Sequence, residues 1–248
     1  MDRIAVYAGT RNLYYDMVTA AKSLLYHDGA DRVYFLIEDD VFPSAREDLP
    51  DCISCINVSG QTFFKPDGPN YASHWTYMVL MRVAISKMPE FARYDRVLTL
   101  DHDTIVRKPI DALWNLDMGH NYYAAVKESR VSRELGRPYY NFGVVMHNIR
   151  RLRDGTDDTI IRTINAVRLR FNEQDAVNSV CRGHIMELPV PYNVMWFNTP
   201  SVTDKDIIIH HYAASHFPLR DQEDYKQYER MTWQDVLQHR EVIHNDKV

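Results

Sequence analysis

The opening of the chain sets the tightest limit on its fold. Arg3-Ile4-Ala5-Val6-Tyr7-Ala8 reads as a short apolar strand, stopped by Gly9-Thr10-Arg11-Asn12. Residues 13–26 follow as a helix, with Val18, Ala21, Leu24 and Leu25 at helical spacing. Arg32-Val33-Tyr34-Phe35-Leu36-Ile37 is a second strand. Strand, helix and strand at this spacing form a βαβ unit, which commits the chain to a parallel sheet covered by helices. At 248 residues there is ample chain for one such domain with a sizeable core.

The remaining pattern extends that unit. A third strand is expected over residues 52–58, then a Gly- and Pro-rich loop over 60–70. A helix over 73–87 ends before Pro89, and a strand follows over 96–100. A short helix over 109–114 precedes strands over 122–127 and 142–147. Helices over 158–170 and 173–181 are followed by extended pieces over 185–188 and 207–212. Residues 150–158 read as a solvated turn, or failing that a hinge. The expectation is an α/β body over residues 1–220 with a mostly parallel sheet, and a helical tail over 221–248 packed on or appended to it.

Composition closes several routes. A net charge of −5 leaves no basic footprint for nucleic acid. Three cysteines are too few for a disulfide framework. Cys52 and Cys55 sit three apart on an expected strand, hence on opposite faces, and read as structural. No apolar run is long enough to span a bilayer, and the N-terminus makes a poor signal peptide. The expectation is a soluble, cytoplasmic protein with no integral membrane segment, at most peripheral at the inner membrane face.

Four clusters carry chemistry. Val97-Leu98-Thr99-Leu100 runs straight into Asp101-His102-Asp103. In open α/β sheets ligands bind outside the carboxyl ends of strands. Residues i and i+2 leaving a strand point the same way, so the two acids repel unless a cation joins them. Ile207-Ile208-Ile209 likewise runs into His210-His211, and imidazole suits a manganese-like or zinc-like ion better than magnesium. Asn172-Glu173-Gln174-Asp175 reads as a capped helix start, with Asn172 as the cap. Gly143, opening a strand in Asn141-Phe142-Gly143-Val144, marks a close approach of backbone or ligand.

These clusters, in this order, resemble the retaining glycosyltransferases of family 8. The resemblance covers Asp101-His102-Asp103, Asn141-Phe142-Gly143-Val144, Glu173-Gln174-Asp175-Ala176-Val177-Asn178 and the stretch His211-Tyr212-Ala213-Ala214-Ser215-His216-Phe217-Pro218. It also takes in the N-terminal strand and Arg82, and so runs from about Ile4 to Pro218. It implies a GT-A fold, a Rossmann-like nucleotide-binding sheet fused to a smaller acceptor-binding half. It implies a UDP-sugar donor, glucose or galactose first, and a divalent ion, Mn2+ or Mg2+. The acceptor it implies is a saccharide, glycolipid or glycoprotein.

Carried over residue by residue, the resemblance gives Asp101, Asp103 and His211 as metal ligands, with His102 between the acids. Ala8, Thr10 and Asn12 would line the uridine pocket, and His74 and Arg82 would lie near the donor. Asn141, Gly143, Glu173 and Gln174 would touch the sugar or the reacting centre, and Glu128 would help place sugar hydroxyls. Ala214 stands at the family glycine beside the donor phosphates, and His216 or Arg220 would supply the positive charge that Phe217 does not. Gln174, Glu173 and Arg82 are the expected catalytic group. The chain departs from the family at Thr10 (usually an acid), Glu173 (usually Asp), Ala214 (usually Gly) and Phe217 (usually Lys).

Two other classes fit some of the same residues. Asp101-His102-Asp103-Thr104 matches the nucleophile motif of haloacid-dehalogenase-type phosphatases, with Asp157-Asp158 as a later acid pair. That motif normally sits on the first strand, whereas here several elements precede it. Phe217 in place of the lysine motivates a non-catalytic nucleotide-sugar binder.

Overall fold

The computed structural model describes residues 2–38, 49–73, 75–196, 202–213 and 218–246. The opening unit is β1 (Ile4–Ala8), a 3-10 turn at Arg11–Leu13, α1 (Tyr14–Tyr26) and β2 (Arg32–Ile37). β1 and β2 pair in parallel, from Ile4 opposite Arg32 to Ala8 opposite Leu36. The helix between them buries Met17, Ala20, Ala21, Leu24 and Leu25. Each large side chain of this kind contributes roughly 1.5–3 kcal/mol, so the apolar stripe holds the crossover in place.

The other strands are β3 (Ile53–Asn57), β4 (Arg96–Leu100), β5 (Thr104–Val106), β6 (Tyr123–Lys127), β7 (Tyr140–Asn148), β8 (Ile185–Leu188) and β9 (Ile209–His211). The helices are α2 (Thr76–Ala84), α3 (Asp111–Trp114), α4 (Ser129–Leu135), α5 (Ile149–Leu152), α6 (Thr156–Ala166), α7 (Asn172–Val180), α8 (Glu223–Arg230) and α9 (Trp233–Asp246). Among the described residues one seven-stranded sheet has the order β3-β2-β1-β4-β7-β6-β8. Its pairs are parallel except that β7 runs against both β4 and β6. That reversal lays the start of β7 beside the carboxyl end of β4, with Val144 opposite Leu100. A separate pair, β5 and β9, runs antiparallel.

The sheet buries two cores. Met78, Leu80 and Met81 of α2, Ile160 and Ile164 of α6, and Ala176 and Val177 of α7 fill one face. The α1 residues, Leu113 of α3 and Val236 of α9 fill the other. The C-terminal helices lie along α1: Tyr225 donates to Asp16 at 2.7 Å, and His239 stacks on Tyr26 at 3.6 Å. No helix among the described residues is long and apolar enough to cross a membrane.

Three local expectations are corrected. The helix expected over 158–170 ends at Ala166, because Asn70 takes what a longer helix would use. Its Nδ2 donates to the carbonyls of Ile164 (2.6 Å) and Val167 (2.8 Å), and its Oδ1 accepts from Leu169 N (3.0 Å). Between the strands expected over 122–127 and 142–147, where no element was expected, the chain forms α4, closed by Gly136 at φ +62°. The helix expected over 73–87 is regular only over Thr76–Ala84, then tightens to a 3-10 turn at Ile85–Lys87.

Candidate active site

The site starts where β4 ends. Asp101 N–H donates to the Gly143 carbonyl at 2.8 Å, which ties it to β7. Its own carbonyl accepts from Thr104 N at 3.2 Å and Thr104 Oγ1 at 2.7 Å. The chain therefore turns through His102 and Asp103 and starts β5. The two carboxylates converge through this turn and not through strand alternation, which corrects the expected geometry. β5 then pairs with β9 so that Thr104 faces His211, and Tyr212 N donates to the Asp103 carbonyl at 2.9 Å. This register carries a histidine from more than a hundred residues away to the acid pair.

The result is a compact trio. His211 Nε2 lies 3.4 Å from Asp101 Oδ2 and 3.3 Å from Asp103 Oδ1. One ligand atom from each residue falls within 4.8 Å of the others. Gly143 makes room for the ring, because a Cβ there would fall on His211 itself. Gly143 sits inside β7 rather than opening it, and what approaches closely is the imidazole.

Asp103 Oδ1 and His211 Nε2 are buried and have no hydrogen-bond partner among the described residues. Buried polar atoms are seldom left so. Two carboxylates and an imidazole that converge, with two buried atoms outside any hydrogen bond, fit a divalent ion. Burial alone would push His211 down, but Asp103 and Asp101 outweigh it and raise the ring to about 9. Against the same burial, Arg82 and His211 hold the Asp101 carboxyl below its usual range. His211 does the same for Asp103.

Arg82 of α2 lies under this corner, 5% exposed. Its guanidinium reaches Asp101, Glu173 and, at 2.9 Å, the Phe142 carbonyl. Burial raises the Glu173 carboxyl to about 7, with Arg82 drawing it back. Gln174, next along α7, accepts from Phe142 N at 2.9 Å and Asn141 Nδ2 at 3.4 Å. Asn172 is not the cap expected of it. It is buried at φ +44°, bonded to Ser73 Oγ at 2.6 Å, while Asp175 takes the N–H groups of Arg170 and Phe171. Thr76, at the start of α2, is also left-handed at φ +58°. Such a conformation is rare for a β-branched residue and clusters at functional sites.

A cavity of about 940 Å³ gathers most of the expected residues. Ala8, Thr10 and Asn12 line it at the carboxyl end of β1, where the Thr10 hydroxyl bonds the Asn12 carboxamide. Asp101, His102, Asp103 and His211 form the acid corner, with Arg82 beneath. Glu128, Asn141, Gly143, Glu173 and Gln174 line it too. His74, Ala214, His216 and Phe217 lie outside the described residues.

Other lining residues carry no motif. Glu38 accepts from Arg11 N at 3.2 Å just past the end of β2. The strand-end rule that found Asp101 points to it equally. Trp75, half exposed, and Arg130 also line the cavity. Asn193, fully buried, bonds His211 Nδ1 at 2.8 Å, and no local pattern marks it.

Comparison with known proteins agrees with this geometry. The family description "Glycosyl transferase family 8" matches residues 5–218. The glycosyltransferase GlyE of Streptococcus pneumoniae is 33% identical over 153 residues, which is 59% of this chain and 36% of that protein. GlyD of the same organism is 25% identical over an alignment covering 96% of this chain and 32% of that protein. The chain thus spans about a third of the length of these curated relatives. The crystal structure of GlyE superposes with a TM-score of 0.72 at 23% identity, over 96% of this chain and 62% of that one. A galactosyltransferase, LgtC, solved with donor and acceptor sugar analogs, gives a TM-score of 0.68 at 20% identity, over 98% of this chain and 95% of that one. These structural likenesses establish a shared GT-A fold. With that fold and a pattern that spans nearly all of its α/β body, the chain belongs to glycosyl transferase family 8.

Proposed function

We propose that this chain is a retaining hexosyltransferase. It moves glucose or galactose from a UDP-sugar to a hydroxyl of a saccharide, glycolipid or glycoprotein, with Mn2+ or Mg2+ as cofactor. The observation that carries this reading is the Asp101–Asp103–His211 corner, with two orphaned polar atoms, opening into a cavity of about 940 Å³. That volume suits a small-molecule substrate. Membership of a glycosyltransferase family supports the reaction class.

Asp101, Asp103 and His211 would hold the ion. Bound there, it supplies Lewis-acid stabilisation of the departing diphosphate. Ala8, Thr10 and Asn12 receive the nucleoside at the end of β1. Arg82 commits its hydrogen bonds to Asp101, Glu173 and the Phe142 carbonyl. It therefore acts by fixing the acid corner against α7 and by countering the charge of Asp101 and Glu173. Glu128, its carboxyl raised by burial, faces the cavity as a partner for sugar hydroxyls.

Glycosyl transfer passes through an oxocarbenium-like state. An amide is a poor nucleophile, so Gln174 serves as a polar stabiliser beside the anomeric carbon. The acceptor hydroxyl attacks on the face that UDP leaves and passes its proton to the departing phosphate oxygen. This keeps the donor's α configuration. Residues 1–220 carry the reaction in this reading, and the helical tail braces α1.

Purified chain with UDP-glucose or UDP-galactose should release UDP only when Mn2+ or Mg2+ is present. NMR of a transferred product should show an α linkage. A β linkage contradicts retention, and tight UDP binding without release on a broad acceptor panel returns the non-catalytic reading. The phosphatase reading lacks support. Asp101 faces Arg82 and His211, and Asp157 is buried against Ser86 at 2.8 Å. Brisk Mg2+-dependent cleavage of p-nitrophenyl phosphate would restore it.

A further inference from the structure

We propose that Asn193 is a positioning residue for the cation corner: it holds the His211 ring with Nε2 toward Asp101 and Asp103, and links that ring to Asn141 and Gln174. The inference rests on the cation reading above and concerns how the chain presets its own ligand. Asn193 is fully buried and outside the cavity lining, so it acts through its neighbours.

Backbone donors set the direction of every bond, whichever way an amide is drawn. The Gly143 N–H can only donate, and it meets the Asn141 side chain at 2.9 Å. The atom it meets is therefore the oxygen, Oδ1. Asn193 approaches that same oxygen at 2.8 Å and must present its NH2. Its own oxygen then faces His211 Nδ1 at 2.8 Å, so Nδ1 carries a hydrogen. Nε2 is the nitrogen left for a cation: it is buried, makes no hydrogen bond and faces Asp101 and Asp103. Such outer partners fix the tautomer and orientation of metal-binding histidines.

The chain of bonds continues in the same sense. The Phe142 N–H meets Gln174 Oε1 at 2.9 Å, and Asn141 Nδ2 donates to that oxygen at 3.4 Å. Gln174 Nε2 donates to the Tyr139 hydroxyl at 3.1 Å, which donates to Asp175. Every link thus donates away from His211 toward a carboxylate, which can only accept. The backbone reinforces the first link. Val194 N donates to Ile209 O at 3.0 Å, and His211 N donates to Val194 O at 2.9 Å, so Asn193 and β9 move together. A shift of the His211 ring is felt at Gln174 through two side chains.

The test compares two full-length variants by Mn2+ titration, with free ion read by electron paramagnetic resonance. Asn193→Asp keeps an acceptor for Nδ1–H and loses the donor to Asn141. Asn193→Leu keeps comparable bulk and loses both. N193L should bind Mn2+ about 10- to 100-fold more weakly than the parent chain. N193D should stay within a few-fold of it. A role confined to filling space predicts the reverse order, because leucine suits a buried site and an unpaired carboxylate does not. N193D as weak as N193L overturns the proposal.

If N193D fails to fold, 15N spectra of histidine-labelled parent chain loaded with Mg2+ decide. A slowly exchanging proton on Nδ1 and none on Nε2 supports the assignment, and a proton on Nε2 overturns it. If the parent chain takes up no Mn2+, the cation reading has failed by itself. The metal-free spectrum then still judges the bond to Asn193. A slowly exchanging Nδ1–H supports it, and its absence overturns it.

Discussion

The amino and the carboxyl ends of the central strands each carry a knot of acids, guanidinium and imidazole, and they behave oppositely. At the amino end Asp28, 1% exposed, meets Arg3 at 2.9 Å, Arg240 at 3.2 Å and His244 at 3.4 Å. Burial alone would raise its carboxyl, but Arg3, Arg240 and His244 outweigh it and hold it at about 2. Positive partners surround Asp28, although Arg3 also pairs with Asp31 at 2.7 Å and Asp111 at 3.5 Å. At the carboxyl end Asp101 and Asp103 share His211, Arg82 is divided between Asp101 and Glu173, and Asp103 Oδ1 and His211 Nε2 stay outside any hydrogen bond. Residue types hardly distinguish the knots. The balance of charge and the orphaned atoms do: the first is a closed structural clasp, the second waits for a cation.

Substitutions in each knot test that contrast. Asp103→Ala should abolish the Mn2+-dependent part of UDP binding in calorimetry. The loss should exceed the roughly 10- to 100-fold typical of outer-shell changes, and the fold should remain intact. Metal-dependent binding that survives would remove Asp103 from the site. Asp28→Ala should do the reverse. Removing one partner of a buried cluster should cost about 3 kcal/mol in urea unfolding, with Mn2+ affinity unchanged.

Gly143→Ala tests the packing between the backbone and the ligand ring. Its Cβ would fall on His211, so a cost of about 1–3 kcal/mol should come with weakened Mn2+ binding. If stability falls and affinity does not, the strand moves and the ring stays.

The smallest effect is in pH. His211 is raised to about 9 and must release its proton to bind a metal. Mn2+ affinity should therefore climb by up to about tenfold per pH unit below that value. The raised value also stabilises the metal-free fold. That contribution is complete below the ordinary histidine range and is lost as pH rises through about 9. Thermal unfolding of metal-free chain should show the decline, and saturating Mn2+ should flatten it. A flat profile without metal would contradict the ion-pair description.

Much of this was legible in the sequence. The βαβ opening, the carboxyl end of β4 and the order of motifs pointed to the acid corner and to Gln174. The cavity indeed collects Ala8, Thr10, Asn12, Arg82 and Glu128 with them. What stayed hidden depends on contacts distant in sequence. The turn that joins Asp101 to Asp103 is fixed by Gly143 across a strand pair. The early end of α6 is set by Asn70, and the orientation of His211 by Asn193, neither marked by local pattern. Asn172 looked like an ordinary cap because a cap and a strained, buried asparagine share one letter. Glu38 was readable by the strand-end rule, yet no motif accompanied it.

The central claim is that Asp101, Asp103 and His211 hold a divalent ion together with UDP. Crystals soaked in Mn2+ and UDP, with data collected at the manganese edge, test it most directly. The account predicts one anomalous peak bounded by Asp101, Asp103 and His211 Nε2, touching the diphosphate. A peak elsewhere, or UDP bound in the cavity with no peak at that corner, would contradict it.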